Sequence, residues 1–198
     1  MSSRKFKVFL AISLYFIILV CYNIEKYYVR WVSFMIILGI DPGYATVGYG
    51  VLEYQRGRFR VMDYGAVTTP AGLDFSSRLQ IIYEGICELC DRFKPDCMAV
   101  EELFFNTNIT TGIQVGHARG VIMLAGHQKG VEINEYTPLQ VKQSVVGYGR
   151  AEKHQVMEMT RQLLGLERIP RPDDAADALA LAICHAHSAK SNLLKVNL

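Results

Sequence analysis

From residue 35 onward the chain offers three strands in succession, and only then strands that alternate with helices. MIILGID (35–41) is an apolar run that ends in a carboxylate, and the PGYATVG that follows is turn chemistry. VGYGVLEYQ reads as a second strand, Arg56-Gly57 as a turn, and RFRVMDYGAVTT as a third strand. In SSRLQIIYEGICELCDRF (76–93), Leu79, Ile82, Tyr83, Ile86, Cys90 and Phe93 recur at helical period, and Lys-Pro-Asp stops the helix. CMAVEEL (97–103) is a buried strand that again ends in carboxylates. There follow a helix over roughly Thr110–Lys129, the strand VEINEYT (131–137), the short helix PLQVKQSVV (138–146) and the amphipathic helix AEKHQVMEMTRQLLGL (151–166). The last helix opens on RPDDAADALALAICHAH (171–187). A meander followed by alternation predicts the α/β class: a five-stranded mixed sheet with helices on both faces.

The element ends concentrate acids. Asp41 closes the first strand and Glu101 the fourth, with Glu102 beside it. In open α/β sheets, sites lie beyond the carboxyl ends of the strands. If the first and fourth strands are neighbours, these two acids open onto one edge. The last helix adds three aspartates. Pro172 sits where a helix starts, and Asp173 or Asp174 can cap it, a carboxylate in the first turn also suiting the helix dipole. Capping uses one or two of the three. Asp174 and Asp177, at i and i+3, share a face, so a metal-binding or catalytic role stands open beside the capping one. Four carboxylates in one place repel: a pair 4 Å apart costs about 1 kcal/mol in water and about 4 kcal/mol at an effective dielectric near 20. Such a cluster needs protons or cations, and hard oxygens on short side chains suit Mg²⁺ or Mn²⁺. Two such ions carry out in-line phosphodiester hydrolysis. Taken singly, each carboxylate is equally an ordinary exposed element end.

At 198 residues, 51% apolar and 20% charged, the chain is long enough for one domain with a sizeable core. Net charge is +2, but residues 1–34 hold Arg4, Lys5, Lys7, Lys26 and Arg30 against Glu25, leaving 16 basic and 18 acidic side chains in 35–198. No global basic field announces nucleic acid, so such a site must be local. Cys21, Cys87, Cys90, Cys97 and Cys184 form no framework. Cys87-Glu-Leu-Cys90 lies inside a helical pattern without a second ligand pair, which argues for buried thiols over zinc or redox chemistry. His185 and His187 alternate on a helix and point apart, a poor arrangement for one metal. The head differs from everything after it: MSSRKFK is basic and VFLAISLYFIILVCY apolar, the outline of a signal peptide or short anchor. The apolar run of 15 residues is shorter than the roughly 18–20 of a spanning helix. No A-x-A-like cleavage site follows, and Met35 stands directly before a clean strand. The preferred reading takes 1–34 as an upstream start-site artefact, 35–190 as the functional domain and 191–198 as a short tail, with a membrane tether as the alternative.

ILGIDPG, AVEELFF, QVKQSVVGYGRAEKHQV and DDAADALALAICHAH, in this order, resemble the RuvC family of bacterial Holliday-junction endonucleases in the ribonuclease H-like superfamily. The resemblance spans residues 35 to about 190 and leaves out the head. It implies a ribonuclease H-like fold, Mg²⁺-dependent resolution of four-way DNA junctions by paired symmetric nicks in recombination and repair, and two ions per subunit. It also implies a homodimer, the branch-migration proteins RuvA and RuvB as partners, and a cytoplasmic location. The family's catalytic and metal-binding tetrad carries over onto Asp41, Glu101, Asp174 and Asp177. Its D-A-A-D spacing selects Asp174, which leaves Asp173 as the N-cap; Glu102 matches a variable position.

DNA contacts are expected from five further residues. Phe104 and Phe105 leave the catalytic strand together, and two adjacent aromatics cannot both face inward from an extended segment. An exposed one is a stacking platform for an unpaired base, and the resemblance implies an aromatic here that probes the junction. Phe104 is favoured, Phe105 stays open, and packing of both under the loop is the alternative. Lys142 and Lys153 match basic positions that the family uses on DNA, and Arg150 lies close by. Lys153 falls in the first turn of a helix, where the dipole disfavours a cation unless a phosphate binds there; for Lys142 a solvated lysine serves as well. Gly112, Gly116 and Gly120 form a stripe on the 110–129 helix that admits a close backbone, either the chain's own sheet or the same helix of a second subunit in a C₂ dimer. Competing readings are a junction-binding scaffold without cleavage, which would lack a carboxylate, and a ribonuclease H-like nuclease on structured RNA. An actin-like ATPase or sugar kinase needs a second domain for which the chain has no room.

Overall fold

The computed structural model describes residues 34–103 and 109–196, with side chains over 34–103 and 112–189. Residues 1–33 of the head and the pair Phe104 and Phe105 lie outside the described residues. Five strands, β1 (Met35–Asp41), β2 (Thr46–Gln55), β3 (Arg58–Thr68), β4 (Cys97–Glu101) and β5 (Glu132–Tyr136), form one sheet in the order β3-β2-β1-β4-β5. β2 and β3 are an antiparallel hairpin; β4 runs parallel to both β1 and β5. The hairpin closes on Arg56 and Gly57, both at positive φ (49° and 86°), the twist that a two-residue turn demands. The helices are α1 (Phe75–Phe93), α2 (Ile109–Gln128), α3 (Pro138–Val146), α4 (Lys153–Leu163) and α5 (Asp173–Val196). The mixed sheet is the one that the element order predicts.

Alternation along the strands sorts the two faces. Leu38 and Ile40 of β1, Val47 and Val51 of β2 and Met98 and Val100 of β4 join Ile82, Ile86 and Leu89 of α1 and Ala118, Ile122 and Ala125 of α2 in one buried cluster. The opposite face presents Gly39, Gly48 and Gly50 to α5. α5 answers with Ala175, Ala176, Ala178, Ala180 and Ala182, all fully buried. Small residues on both sides let helix and sheet backbones come close, so helices cover both faces as expected.

Local chemistry sets the helix ends. Asp74 caps α1 by accepting from the Ser77 N–H at 3.0 Å, and Lys94 ends it in the left-handed region. Thr137 and Gln140 form a reciprocal capping box on α3, with Pro138 in its first turn and Gly147 closing it at φ 93°. One cap departs from expectation. α5 begins at Asp173, so Asp173 sits in the first turn beside Asp174 and is not the N-cap. The Ala175 N–H already reaches the Pro172 carbonyl at 3.0 Å, and Arg171 draws the Asp173 carboxylate outward into an ion pair.

Cys87, Cys90, Cys97 and Cys184, with His185 and His187, behave as packing groups. Cys87, Cys90, Cys97 and Cys184 are free, and burial pushes the Cys90 and Cys184 thiols up to about 11. His185 meets the Tyr136 hydroxyl at 2.8 Å, whereas His187 meets Ser144 at 3.2 Å. Of the glycines on α2, Gly126 presses on Met98, while Gly120 faces open space. The chain's own sheet is therefore not the partner of the stripe at Gly120. Among the described residues no helix is long and apolar enough to cross a membrane.

Candidate active site

The period of two that buries Leu38 and Ile40 on one face turns Asp41 to the other, along with Gly39. The same alternation puts Glu101 with Ala99, opposite Met98 and Val100. β1 and β4 are parallel neighbours in the register Ile40↔Val100, so Asp41 and Glu101 end adjacent strands side by side, on the face that α5 covers. Asp174 and Asp177 lie one turn apart at the start of α5. Asp41, Glu101 and Asp177 line a single cleft with Lys142 of α3 and Lys153 of α4, over an apolar floor that includes Val141, Val156 and Leu181. Asp174 stands next to this cleft, close enough for its charge to act on Asp41.

The charges in the cleft are strongly coupled. Asp41 is pushed up to about 8, first by burial and then by the charges of Glu101, Asp177 and Asp174, with Lys153 opposing. Glu101 is raised by burial and by Asp177. Lys153 donates to Asp177 with Nζ 2.8 Å from Oδ2, and this bond holds its ammonium above the usual lysine range. The helix-start position of Lys153 is as expected, but its partner here is a carboxylate. Among the described residues no three His, Cys, Asp or Glu side chains stand close enough together to enclose a metal ion. The donor set still fits a hard divalent cation: carboxylates from two adjacent strand ends and a helix start open onto one cleft, and oxygen donors of this kind suit such an ion.

Residues 37–185 match the family model described as crossover junction endodeoxyribonuclease RuvC. This chain belongs to the RuvC family. The crossover junction endodeoxyribonuclease RuvC of Ruminiclostridium cellulolyticum is 56% identical over 163 residues, 82% of this chain and 98% of that one. The solved T. thermophilus RuvC in complex with Holliday junction substrate superposes with a TM-score of 0.76 at 37% identity, covering 80% of this chain and 96% of that chain. The yeast mitochondrial Holliday junction resolvase Ydc2, at 15% identity and a TM-score of 0.59 over 82% of this chain and 84% of that chain, shares the fold. The architecture is thus the ribonuclease H-like one of RuvC.

Around this cleft the structure adds residues that sequence reasoning missed. Thr69, at the end of β3, donates from Oγ1 to the Tyr44 carbonyl at 2.8 Å and accepts from Arg78 Nε at 2.8 Å. The Arg78 guanidinium lies 3.8 Å over the Tyr44 ring, so α1 and β3 together hold the turn that follows Asp41. Arg119 of α2 donates from Nε to the Glu101 carbonyl at 3.1 Å and pairs with Glu135, fastening the end of β4. None of these contacts has a local signature, since each joins elements far apart in sequence. Glu102 turns to β5, its N–H reaching the Tyr136 carbonyl at 2.9 Å, and Arg150 is exposed on the turn between α3 and α4 without lining the cleft.

Proposed function

We propose that the chain is a divalent-metal-dependent endonuclease that resolves four-way DNA junctions, with Asp41, Glu101, Asp174 and Asp177 holding the metal. Asp41 and Glu101, closing adjacent parallel strands beneath a helix that brings Asp177 into the same cleft, carry this reading. Its substrate follows that of the RuvC relatives, which are crossover junction endodeoxyribonucleases. Mg²⁺, with Mn²⁺ able to replace it and two ions per subunit, matches the oxygen donors. When bound, such ions activate the attacking water and stabilise the leaving oxygen. Lys142 and Lys153 then face the phosphate backbone, with Arg150 extending the contact, while Lys153 also balances the charge of Asp177. Phe104, with Phe105 as the alternative, stacks on an unpaired base at the junction.

Two symmetric incisions need two sites, which a C₂ homodimer supplies. The support for a dimer through α2 is its outer face: Ile113 and Leu124 are about half exposed there, with exposed His117 and Gly120 between them. The enzyme works on chromosomal DNA in the cytoplasm, with RuvA and RuvB delivering the junction.

The test is Asp177→Asn, which keeps shape and removes a ligand charge. Nicking of a synthetic four-way junction in Mg²⁺ is expected to fall by at least the roughly 10–100-fold that loss of a metal-supporting group costs. Junction binding is expected to persist, because it rests on basic groups and shape. Parental nicking by this variant would overturn the assignment.

A further inference from the structure

We propose that Gly48, which bears no ligand and lies on a different strand from Asp41, is a positioning residue for Asp174. The proposal rests on reading Asp174 as one of the metal-holding carboxylates. A Cβ placed on Gly48 would stand 2.8 Å from Asp174 Cβ, and closer still to the Asp174 carbonyl group. These are distances that real Cβ atoms do not tolerate, and the obstacle is mostly backbone, which cannot rotate away. Gly48 has no such latitude either. It is buried in β2 and paired with Ala66 of β3, so it moves only with the hairpin. Its φ lies outside the left-handed region, so the need for glycine here is one of space.

Two other glycines on this face meet the same helix and sharpen the assignment. A Cβ on Gly50 would stand 2.7 Å from Leu179 Cδ2 and Cγ and 2.9 Å from the Leu179 backbone N, and one on Gly39 would meet the backbone of Ala178. Those contacts fall further along α5, where buried alanines hold the helix on both sides. Gly48 meets the helix in its first turn, at the residue that carries a site carboxylate. A side chain at 48 therefore lifts Asp174 away from Asp41 before it disturbs the body of the helix. β2 acts as a stop that sets how far Asp174 stands from the strand ends.

The experiment measures Mn²⁺ binding to the full-length protein by titration calorimetry without DNA, alongside thermal melts. The proteins compared are the parent, Gly48→Ala, Gly50→Ala, Asp174→Asn, Asp174→Glu and Gly48→Ala/Asp174→Glu. Gly48→Ala is expected to fold and to bind Mn²⁺ about 10-fold or more weakly, the range for groups that orient a metal ligand. Gly50→Ala is expected to lower the melting temperature with Mn²⁺ affinity within about two-fold of the parent, since it touches no ligand-bearing residue. Asp174→Glu, one methylene longer, weakens binding on its own but restores part of the affinity lost in Gly48→Ala. That sign of coupling does not arise from general loosening. Parental Mn²⁺ affinity in Gly48→Ala overturns the proposal, as do equal losses in Gly48→Ala and Gly50→Ala, or a Gly48→Ala protein that does not fold. Parental affinity in Asp174→Asn instead overturns the reading of Asp174 as a ligand, and the proposal falls with it.

Discussion

Removing the Lys153 ammonium pulls stability, metal binding and cleavage in different directions, which makes Lys153→Gln a sharp test of the cleft's electrostatics. The ion pair with Asp177 is short, 2.8 Å, but its side chains are 58% and 29% exposed. Water therefore screens it, and it contributes about 0–1 kcal/mol. Lys153 is also the first residue of α4, where the helix dipole disfavours a cation by about 0.3–1 kcal/mol. The two effects oppose, so the variant is expected to differ in stability by less than about 1 kcal/mol, a melting shift within about 4 °C. A divalent cation that takes Asp177 must first displace Lys153. Losing the lysine therefore strengthens metal binding by up to about five-fold, the equivalent of 1 kcal/mol. Cleavage is expected to move the other way, because in the proposed function Lys153 faces the phosphate backbone. Thermal melts, Mn²⁺ titration calorimetry and junction nicking read the three quantities separately. A melting temperature lowered by more than about 8 °C would make the pair structural. Weaker Mn²⁺ binding, or undiminished nicking, would equally refute the reasoning.

Asp173→Asn is expected to leave nicking at the parental rate and stability within about 0.5 kcal/mol, because Asp173 is turned outward to Arg171; loss of nicking in this variant would move the metal site by one residue. Arg119→Met removes the donor to the Glu101 carbonyl and is expected to cost about 1–3 kcal/mol. Nicking should fall further than junction binding, and equal losses of both in gel-shift and nicking assays would speak against a role at Glu101. His185 is buried, which lowers its pKa against the pull of Glu132, and its Nδ1 shares a 2.8 Å hydrogen bond with the Tyr136 hydroxyl, whose own pKa burial pushes up to about 12. The unfolded chain therefore binds the His185 proton first as pH falls below about 6.5, and the folded state loses stability there by up to about 1.4 kcal/mol per pH unit. Denaturant melts between pH 7.5 and 5 should show a smaller loss for His185→Gln than for the parent, and equal losses would place the acid sensitivity elsewhere.

Element type and order were legible in the chain because strand alternation, helical period and turn chemistry are local consequences of backbone geometry. MIILGID and CMAVEEL announced strands closing in carboxylates, and the i, i+3 spacing of Asp174 and Asp177 announced a shared helix face. The strand order was not local. That β1 lies between β2 and β4, so that Asp41 meets Glu101, depends on which faces bury together over some 60 intervening residues. Tertiary packing also turned Lys153 into the cleft, carried Asp173 away from the cap to Arg171, and set Arg119 and Thr69 behind the strand ends. Gly48 shows the difference most plainly. In sequence it is one glycine of Val-Gly-Tyr-Gly in a strand, where glycine weakens pairing. Only the approach of α5, 126 residues further along the chain, supplies the backbone that leaves no room for a side chain.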